Sequence, residues 1–460
     1  MAFGYTILGF GSGGRIFKAY DADYLILAGG GAGGPAPGGG GGAGGMRTSF
    51  PGGTKISIDN FTIPIDVGAG GTAGTGGGGT GLTKGLDSTI SLLSGAFSSS
   101  GGGGGVNNPF GTGCLNDGGS GGGTPHQGST KGCGNLGGYT PPEGQPGGAS
   151  GAGCFIAGTK VRMADGTDKN IEDVLVDDKV KGHKEDNTVI KLKPTLLADR
   201  KLYSFNDNDH YFFTSEHPFM TEEGWKSIKP EKTKERDGIE LFNKLKGTLK
   251  IGDKLITEDG SIEIIHIKSK EINDPKMPLY NFHVSNDNSY IADGYVVHNK
   301  GSFAGSGGGG HTGAGSDATG VGYGCSQGSP GGNGTANSIT AAAVTRAGGG
   351  GGGAWPGTPS PGRGCGGTGG GGAGGAVDQG VGANGTDGLG GGSGGGTYGP
   401  PCGGGQPGGV GGTGTIIIRI PSADAPAALA VSPGTNTIAT DAPTGDKICT
   451  FTVDGILTVG

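Results

Sequence analysis

The density of glycine changes abruptly at two points along the chain, and this change limits what the chain can fold into. The 146 residues 154–299 contain 9 of the 116 glycines, so the other 314 residues (460 − 146) contain 107 (116 − 9). Flanks of that composition have few large apolar side chains with which to build a conventional core. Residues 154–299 hold 22 of the 33 basic and 26 of the 40 acidic residues, and are long enough for such a core. We therefore expect one ordinary domain, called the central domain below, between two glycine-rich arms.

The arms have two interpretations. A collagen triple helix is excluded, because glycine has no strict period of three and proline is scarce. The arms are then either flexible, disordered linkers or polyglycine-II-like bundles, in which extended segments bond laterally and only glycine permits the close approach. Strand-like runs at the borders favour the ordered alternative. These runs lie at 24–28, 55–67 and 415–420, with a hairpin in the tail that turns at Asp454-Gly455.

Charge, hydropathy and cysteine usage exclude several classes of protein. A net charge of −7 and flanks with few bases argue against a nucleic-acid surface. The start, MAFGYTILGFGSGG, lacks the basic region of a signal peptide, and no apolar stretch reaches the length that would predict membrane insertion. Six of the seven cysteines lie in the arms, where they could pair, but no spacing indicates a CxxC metal site or a compact disulfide framework, so free thiols are favoured. We expect no metal and no cofactor.

The central domain is expected to be mostly β. Short β-type runs are separated by Asp-Gly and Asn-Asp turns, only residues 238–246 have a helical pattern, and the mixed charges of 229–236 indicate a solvated loop. A weak internal repeat is present, in which IEDVLVDDKVKGH resembles GTLKIGDKLITEDG. A duplicated β-unit would bring both ends of the domain to one centre, together with His217 and His298.

Four motifs, in order, carry a resemblance to a known superfamily. CFIAGTKV opens the central domain, TSEH ends at His217, YNFHV precedes SYIADG, and VVHN closes the domain at Asn299. The set resembles the Hint superfamily, which comprises inteins, bacterial intein-like domains and hedgehog-type autoprocessing domains. The resemblance implies an all-β, pseudo-two-fold horseshoe. The length is similar to that of a mini-intein, with no room for a homing endonuclease.

This resemblance implies chemistry at the first residue of the central domain. Cys154 would attack the carbonyl of Gly153 and form a thioester, because the thiol is the most nucleophilic side chain at neutral pH. His217 would protonate the departing amide nitrogen, and Thr214 would orient the bond.

It also implies chemistry at the last residue. Asn299 would cyclise through its side-chain amide and release Lys300, with His298 polarising the carbonyl or protonating the leaving amine. The reaction would be a single turnover in cis, so the substrate is the chain itself. Trp225 and four further histidines are interpreted as structural: His183, His210, His266 and His283.

The sequence departs from the superfamily at three positions. Lys300 stands where a standard intein has Cys, Ser or Thr to accept the acyl group, Asn281 stands where many have Asp, and Asn288 where His is common. The side chain of Lys300 cannot form the usual branched ester. We therefore expect cleavage at both ends to dominate, with a minor spliced product formed by the α-amine of Lys300.

The arms carry a second resemblance, through YLILAGGGAGG, FTIPIDVGAGG and GGTGTIIIRIP. These segments resemble the glycine-rich domain of phage tail-fibre and adhesin proteins, which one strand opens and another closes. Here those strands lie on opposite sides of the central domain, which would interrupt a single domain. The expected division is an arm at 1–153, the central domain, an arm at 300–421 and a β tail at 422–460. The resemblance implies a virion protein assembled in the host cytoplasm as a homo-oligomer, with other virion proteins or a host receptor as partners.

Two other functions remain open. One is a purely structural glycine-rich adhesin whose Hint domain is inactive, although the presence of Cys154, His217, His298 and Asn299 argues against decay. The other is a Hint domain that releases a toxin. It ranks last, because glycine-rich sequence rather than a compact catalytic domain follows Asn299.

Overall fold

The computed structural model describes residues 19–74, 82–106, 116–125, 131–148, 153–192, 195–197, 200–206, 208–237, 239–274, 277–298, 305–318, 320–321, 325–326, 328–354, 362–376, 380–397 and 405–460. Nearly all of the regular structure in these ranges is β, which confirms the all-β prediction. None of the helices in these ranges is long and apolar enough to cross a bilayer.

The first arm contains β1 (Tyr20–Leu27), β2 (Met46–Thr48), β3 (Ile56–Ile58), β4 (Thr62–Asp66), β5 (Ser88–Leu92) and β6 (Gly95–Ser99). The central domain contains β7 (Phe155–Ile156), β8 (Lys160–Arg162), β9 (Asp168–Asn170), β10 (Lys179–Lys181), β11 (Asp186–Leu192), β12 (Thr195–Leu196), β13 (Leu202–Phe205), β14 (Phe213–Thr214), β15 (Phe219–Thr221), β16 (Gly224–Lys226), β17 (Lys254–Thr257), β18 (Gly260–Glu263), β19 (Ile267–Lys270), β20 (Pro278–Tyr280), β21 (Phe282–Val284), β22 (Ser289–Ala292) and β23 (Tyr295–His298). Beyond it lie β24 (Gly320–Val321), β25 (Cys325–Ser326), β26 (Thr335–Thr340), β27 (Ala342–Arg346), β28 (Thr415–Ile420), β29 (Leu429–Ser432), β30 (Thr437–Thr440), β31 (Lys447–Phe451) and β32 (Gly455–Val459).

Two short helices, α1 (Pro230–Asp237) and α2 (Ile239–Lys244), interrupt the β structure of the central domain. The prediction of a loop over 229–236 is wrong, and helix begins well before the predicted 238–246. Pro230 stands at the first helical position, where its fixed φ favours the helix and its missing N–H is not needed. The Thr233 hydroxyl donates to the carbonyl oxygen of Glu216 at 2.7 Å. This tertiary contact, invisible in the charge pattern, anchors α1.

The two arms and the tail, together called the host domain below, build one β-sandwich. β1 pairs antiparallel with β28, with Leu25 opposite Ile417, in a sheet ordered β2-β1-β28-β31-β30. The second sheet is ordered β29-β32-β4-β5-β6. Side chains from both sheets and both arms pack in one buried core. The central domain is therefore inserted between strands that are neighbours in space.

The glycine-rich segments of the host domain form a laterally bonded bundle. Successive backbone amides of segment 28–34 donate in rotation to three neighbours, so that every third amide reaches the same one: segment 39–45, then 83–86, then 409–412. A repeat of three residues is that of the polyproline II helix, which has three residues per turn and no internal hydrogen bonds. Among the described residues, the ordered interpretation of the arms is confirmed.

Segment 38–45 lies at the centre of this bundle and is bonded on all sides. Its backbone amides donate to the carbonyls of three segments: 100–103, 306–309 and 390–396. Its carbonyls accept from the amides of three other segments: 28–34, 120–123 and 350–353. A Cβ added at Gly41 would lie 2.1 Å from the carbonyl oxygen of Gly31. Only glycine permits backbones to approach so closely, which is why the bundle has this composition.

The weak internal repeat of the central domain corresponds to two equivalent turns. In the first, the N–H of Val189 donates to the carbonyl of Asp178 at 2.8 Å, and in the second the N–H of Ile264 donates to the carbonyl of Asp253 at 2.8 Å. Both aspartate carboxylates also accept a backbone N–H from three residues earlier. The two sets of positions differ by 75 residues (253 − 178 and 264 − 189). The repeat in the sequence thus corresponds to the same turn at two places in the central domain.

Candidate functional site

Strand pairing places Cys154 between two polar residues. β7 lies between β14 and β20, and its first residue is opposite both Phe213 and Tyr280. Because both pairings are antiparallel, the residue before β7 lies beside the residue that follows each partner. Cys154 therefore has Thr214 on one side and Asn281 on the other.

Both sides of the Gly153–Cys154 peptide bond are held by these neighbours. The side-chain amide of Asn281 donates through Nδ2 to the carbonyl oxygen of Gly153 at 2.5 Å. The N–H of Cys154 donates to Oγ1 of Thr214 at 3.0 Å, and the N–H of Thr214 donates to the carbonyl of Cys154 at 3.1 Å. Asn281 and Thr214 therefore hydrogen-bond to the same peptide bond, Gly153–Cys154, that the sequence predicts to be cleaved.

The orientation of the Asn281 amide is fixed by its own partners. Its Oδ1 accepts the backbone N–H of Phe282 at 2.8 Å and the hydroxyl of Tyr290 at 2.9 Å. A backbone N–H can only donate, so Oδ1 must face it, and the NH₂ group faces the Gly153 carbonyl. Sequence reasoning noted Asn281 only as a departure from the superfamily. Its position next to the Cys154 strand, which depends on strand order, makes it a site residue.

His217 is buried beside the same bond. Its ring centroid lies 4.2 Å from that of Phe155, and a Cβ built on Gly153 would lie 2.5 Å from the His217 Cα. Burial lowers the pKa of His217 to about 4, against smaller opposing effects of the Gly153 backbone and the Glu216 carboxylate. The imidazole is therefore neutral at pH 7 and able to accept a proton.

A buried ion pair supports the turn that carries His217. Glu216 accepts from Arg200 at 3.1 Å between Oε1 and Nη1, and both side chains are almost fully buried. Arg200 also donates from Nε to the carbonyl of Leu197 at 3.0 Å. Removing one partner of such a pair leaves a buried charge uncompensated, so the pair holds this turn in place.

The Cys154 side chain lies in apolar surroundings. The residue is 1% exposed and packs with Leu197, Leu202 and Leu279. Burial, and to a smaller degree the proximity of Cys154, raise the pKa of Tyr290 well above its usual value, so its hydroxyl remains a donor to Asn281. This packing limits the access of water to the bond that Cys154 would attack.

The last described strand of the central domain ends beside the same turn. The N–H of His298 donates to the carbonyl of Pro218 at 3.1 Å, so His298 contacts the residue that follows His217. The rings of Trp225 and His298 meet edge to face, with centroids 4.9 Å apart and planes at 90°. Trp225, interpreted as structural from sequence, packs directly on a candidate catalytic side chain.

The structure thus brings Gly153, Cys154, Thr214 and His217 together, with His298 next to the same turn. Asn299 and Lys300 lie outside the described residues. Among the histidines interpreted as structural, His210 pairs instead with Asp293, at 3.1 Å between Nδ1 and Oδ2. No group of three potential metal ligands occurs in the described part of the chain.

Comparisons with known proteins give one match to a family model and several matches to solved structures. A family described as a glycine-rich domain matches residues 16–172, which is 157 (172 − 16 + 1) of the 460 residues. The chain matches none of the curated proteins. It is similar to the crystal structure of the gp41-1 intein at 20% identity and a TM-score of 0.25, over 32% of this chain and 100% of that chain.

Two further solved structures are similar over the same share of the chain. A bacterial intein-like domain from Clostridium thermocellum is 22% identical with a TM-score of 0.25, over 32% of this chain and 98% of that chain. A DnaB intein from Synechocystis sp. PCC 6803 is 14% identical with a TM-score of 0.24, over 32% of this chain and 99% of that chain.

Proposed function

We propose that the central domain is a Hint-type self-processing domain that breaks the peptide bond preceding Cys154. The observation that carries this proposal is the set of contacts to that peptide bond. Asn281 donates to the Gly153 carbonyl, Thr214 accepts the Cys154 N–H, and a neutral His217 packs against Gly153. A nucleophile, an oxyanion donor and a proton acceptor thus converge on one bond.

The first step is an N-to-S acyl shift. Sγ of Cys154 attacks the Gly153 carbonyl carbon as its proton passes to His217, and the negative charge that develops on the carbonyl oxygen is stabilised by Nδ2 of Asn281. The carbon–nitrogen bond then breaks, and His217 returns the proton to the departing Cys154 nitrogen. A thioester replaces the amide, and no co-reactant is consumed. Because His217 begins neutral, it acts first as the base and then as the acid.

The second step is proposed at the other end of the central domain. The side-chain nitrogen of Asn299 attacks its own backbone carbonyl carbon, closes a succinimide and expels the α-amine of Lys300. His298, held by Trp225 and by the carbonyl of Pro218, donates to the carbonyl or to the leaving amine. The freed amine has an ordinary pKa of about 7.7–8.0 and can attack the Gly153 thioester in place of water. Cleavage dominates, and a Gly153–Lys300 peptide bond forms as a minor product.

We further propose that the host domain is a structural part of a virion, such as a tail fibre. Its support is the glycine bundle, in which segments of both arms are hydrogen-bonded laterally through their backbones. On this proposal the protein assembles in the host cytoplasm as a homo-oligomer and contacts other virion proteins or a host receptor. The competing proposal is a purely structural adhesin with an inactive central domain. The hydrogen bonds of Asn281 and Thr214 to the Gly153–Cys154 peptide bond favour an active central domain.

Intact mass spectrometry of the purified protein tests self-processing. With dithiothreitol we expect fragments of residues 1–153, 154–299 and 300–460, because the thiol intercepts the thioester. A minor species should join 1–153 to 300–460, and its junction peptide should read GASGAG-KGSFAG. Only the full-length mass, with and without thiol over about pH 6 to 9, a range chosen to bracket the amine pKa, would show that the domain is inactive.

Replacing Asn281 with alanine should slow thiol-induced release of residues 1–153 by about 10²–10³-fold, the usual loss when one oxyanion donor is removed. Cleavage after Asn299 should be unaffected. The matched control is Asn208→Ala, because Asn208 is exposed and its Oδ1 accepts a local backbone N–H, from His210 at 2.8 Å. Equal release rates for the two variants in a single-turnover assay would remove Asn281 from the mechanism.

A further inference from the structure

The two arms of the host domain do not have separate cores. Residues of the first arm, such as Ile26 and Ile63, pack in the same buried cluster as Ile418 and Phe451 from beyond the central domain. β1 pairs with β28 over five residue pairs, from Asp23↔Arg419 to Leu27↔Thr415, and β32 pairs with β4. Neither sheet of the sandwich is complete without strands from both sides of the central domain.

The glycine bundle is shared in the same way. The central segment 38–45 of the first arm is bonded on three of its six sides to segments of the second arm: 306–309, 350–353 and 390–396. Other first-arm segments that bond across the two arms are 28–34, 68–71, 121–124 and 145–148. Among the described residues, each arm therefore buries backbone amides and carbonyls against the other arm.

The chain on either side of the central domain is already held in place. The N–H of Gly148 donates to the carbonyl of Gly307 at 2.8 Å, and the N–H of Gln145 donates to that of Gly310 at 3.0 Å. The Ser306 hydroxyl donates to the carbonyl of Gly148 at 2.6 Å. These bonds join the two arms at most eight residues before Gly153 (153 − 145) and ten residues after Lys300 (310 − 300). They do not pass through the central domain.

From these contacts we infer that the two arms stay bound to each other, as a non-covalent two-chain complex with the host fold, after both junctions of the central domain are cut. The partner that each arm fits is the other arm, through the shared sandwich and the interlocked bundle. Cutting breaks chain connectivity but removes no contact among the described residues of the two arms. The inference goes beyond the proposed function, since it holds whichever agent cuts the bonds.

The test makes both cuts independent of self-processing. In the Cys154→Ala/Asn299→Ala chain, recognition sequences for a site-specific protease replace residues 149–152 and 300–304, and an affinity tag follows Gly460. After digestion, we expect residues 1–148 to be retained on the affinity resin together with 305–460, and to co-elute with them in size-exclusion chromatography. Recovery of 1–148 in the unbound fraction would overturn the inference, and would leave the proposed function untouched.

A matched pair of variants identifies the interface. A Cβ at Gly411 would lie 2.0 Å from the carbonyl oxygen of Gly30 in the other arm, whereas a Cβ at Gly434 would meet nothing within 4 Å. After cutting, Gly411→Val should raise the Kd between 1–148 and 305–460 at least about tenfold, since one clash of 1.4 kcal/mol suffices for that factor, and Gly434→Val should not. Equal Kd values for the two variants would rule out the bundle as the interface.

Hydrogen exchange of the cut, unsubstituted arms gives a second measurement that needs neither variant. The amides of Gly148 and Gly411 should stay protected after cutting, because each donates to a carbonyl in the other arm, those of Gly307 and Gly71. Fast exchange at both positions in the cut protein would mean that the arms had separated.

Discussion

Replacing Cys154 with alanine should abolish the release of residues 1–153 by dithiothreitol. The alanine variant lacks the sulfur that must bond to the Gly153 carbonyl carbon, and no thioester can form without it. Alanine fits the site, because the Cys154 side chain packs among leucines, so the fold should persist. The release is measured by intact mass spectrometry after incubation with the thiol, and cleavage after Asn299 should continue.

Cys449→Ala is the matched control for this experiment. Cys449 is also fully buried, and burial raises the pKa of its thiol to about 12, but it lies in the core of the host domain, away from either junction. Release should proceed at the unsubstituted rate in this variant. Thiol-dependent release that survived Cys154→Ala would assign the nucleophile to another residue.

Replacing His217 with alanine should slow the same release by about 10²–10⁴-fold, the usual cost of losing an acid–base group. His217 is the buried imidazole that contacts Gly153 and Phe155, and another proton carrier at this position would have to enter from solvent. Single-turnover rates with thiol give the effect, and circular dichroism checks the fold. An unfolded variant would show that His217 has a structural role, and His217→Gln would then replace alanine in the rate comparison.

The pH dependence follows from the pKa of about 4. Neutral His217 is the reactive form, so its contribution to the rate should be constant from about pH 8 to 5 and fall as the pH approaches 4. A histidine that acted first as an imidazolium with its ordinary pKa of about 6.5 would instead give a rate that falls above that pH.

The free energy of unfolding should also depend on pH through protonation of His217. The unfolded chain binds a proton at His217 below about pH 6.5, while the folded chain does so only below about pH 4. Stability is therefore fully present above pH 6.5 and falls as the pH drops to 4, by up to about 3 kcal/mol. Chemical denaturation at pH 7 and 4.5 measures this loss, which should be smaller in His217→Gln.

The amino-acid sequence by itself determined the class of the fold and where the candidate chemistry lies. The alternation of β-type runs with Asp-Gly turns is local, and nearly all of the regular structure among the described residues is β. Cys154, His217 and Thr214 were found because the reaction requires particular side chains at the first residue of the central domain and at one short motif. The internal repeat was detectable because an aspartate and its turn recur at Asp178 and Asp253.

Other features of the site depend on contacts between distant positions. Asn281 reaches the Gly153 carbonyl across 128 positions of sequence, and only the order of strands β20, β7 and β14 places it there. Trp225 meets His298 through the packing of separate strands. The helix α1 forms in a charged stretch, where Thr233 bonds to Glu216. Patterns within a single segment carry no information about such pairs.

Whether the arms are ordered or flexible was also decided by tertiary structure. Glycine composition permits both a flexible linker and a bundle, because a residue without a Cβ has the most backbone freedom and also packs most closely. The choice depends on whether enough segments are brought side by side to bond every amide. Here the pairing of β1 with β28 brings the two arms together, and segment 38–45 has partners more than 300 residues away, at 350–353 and 390–396. No window of sequence shows that six neighbours will be present, and without them the same glycines would have no lateral partners to order them.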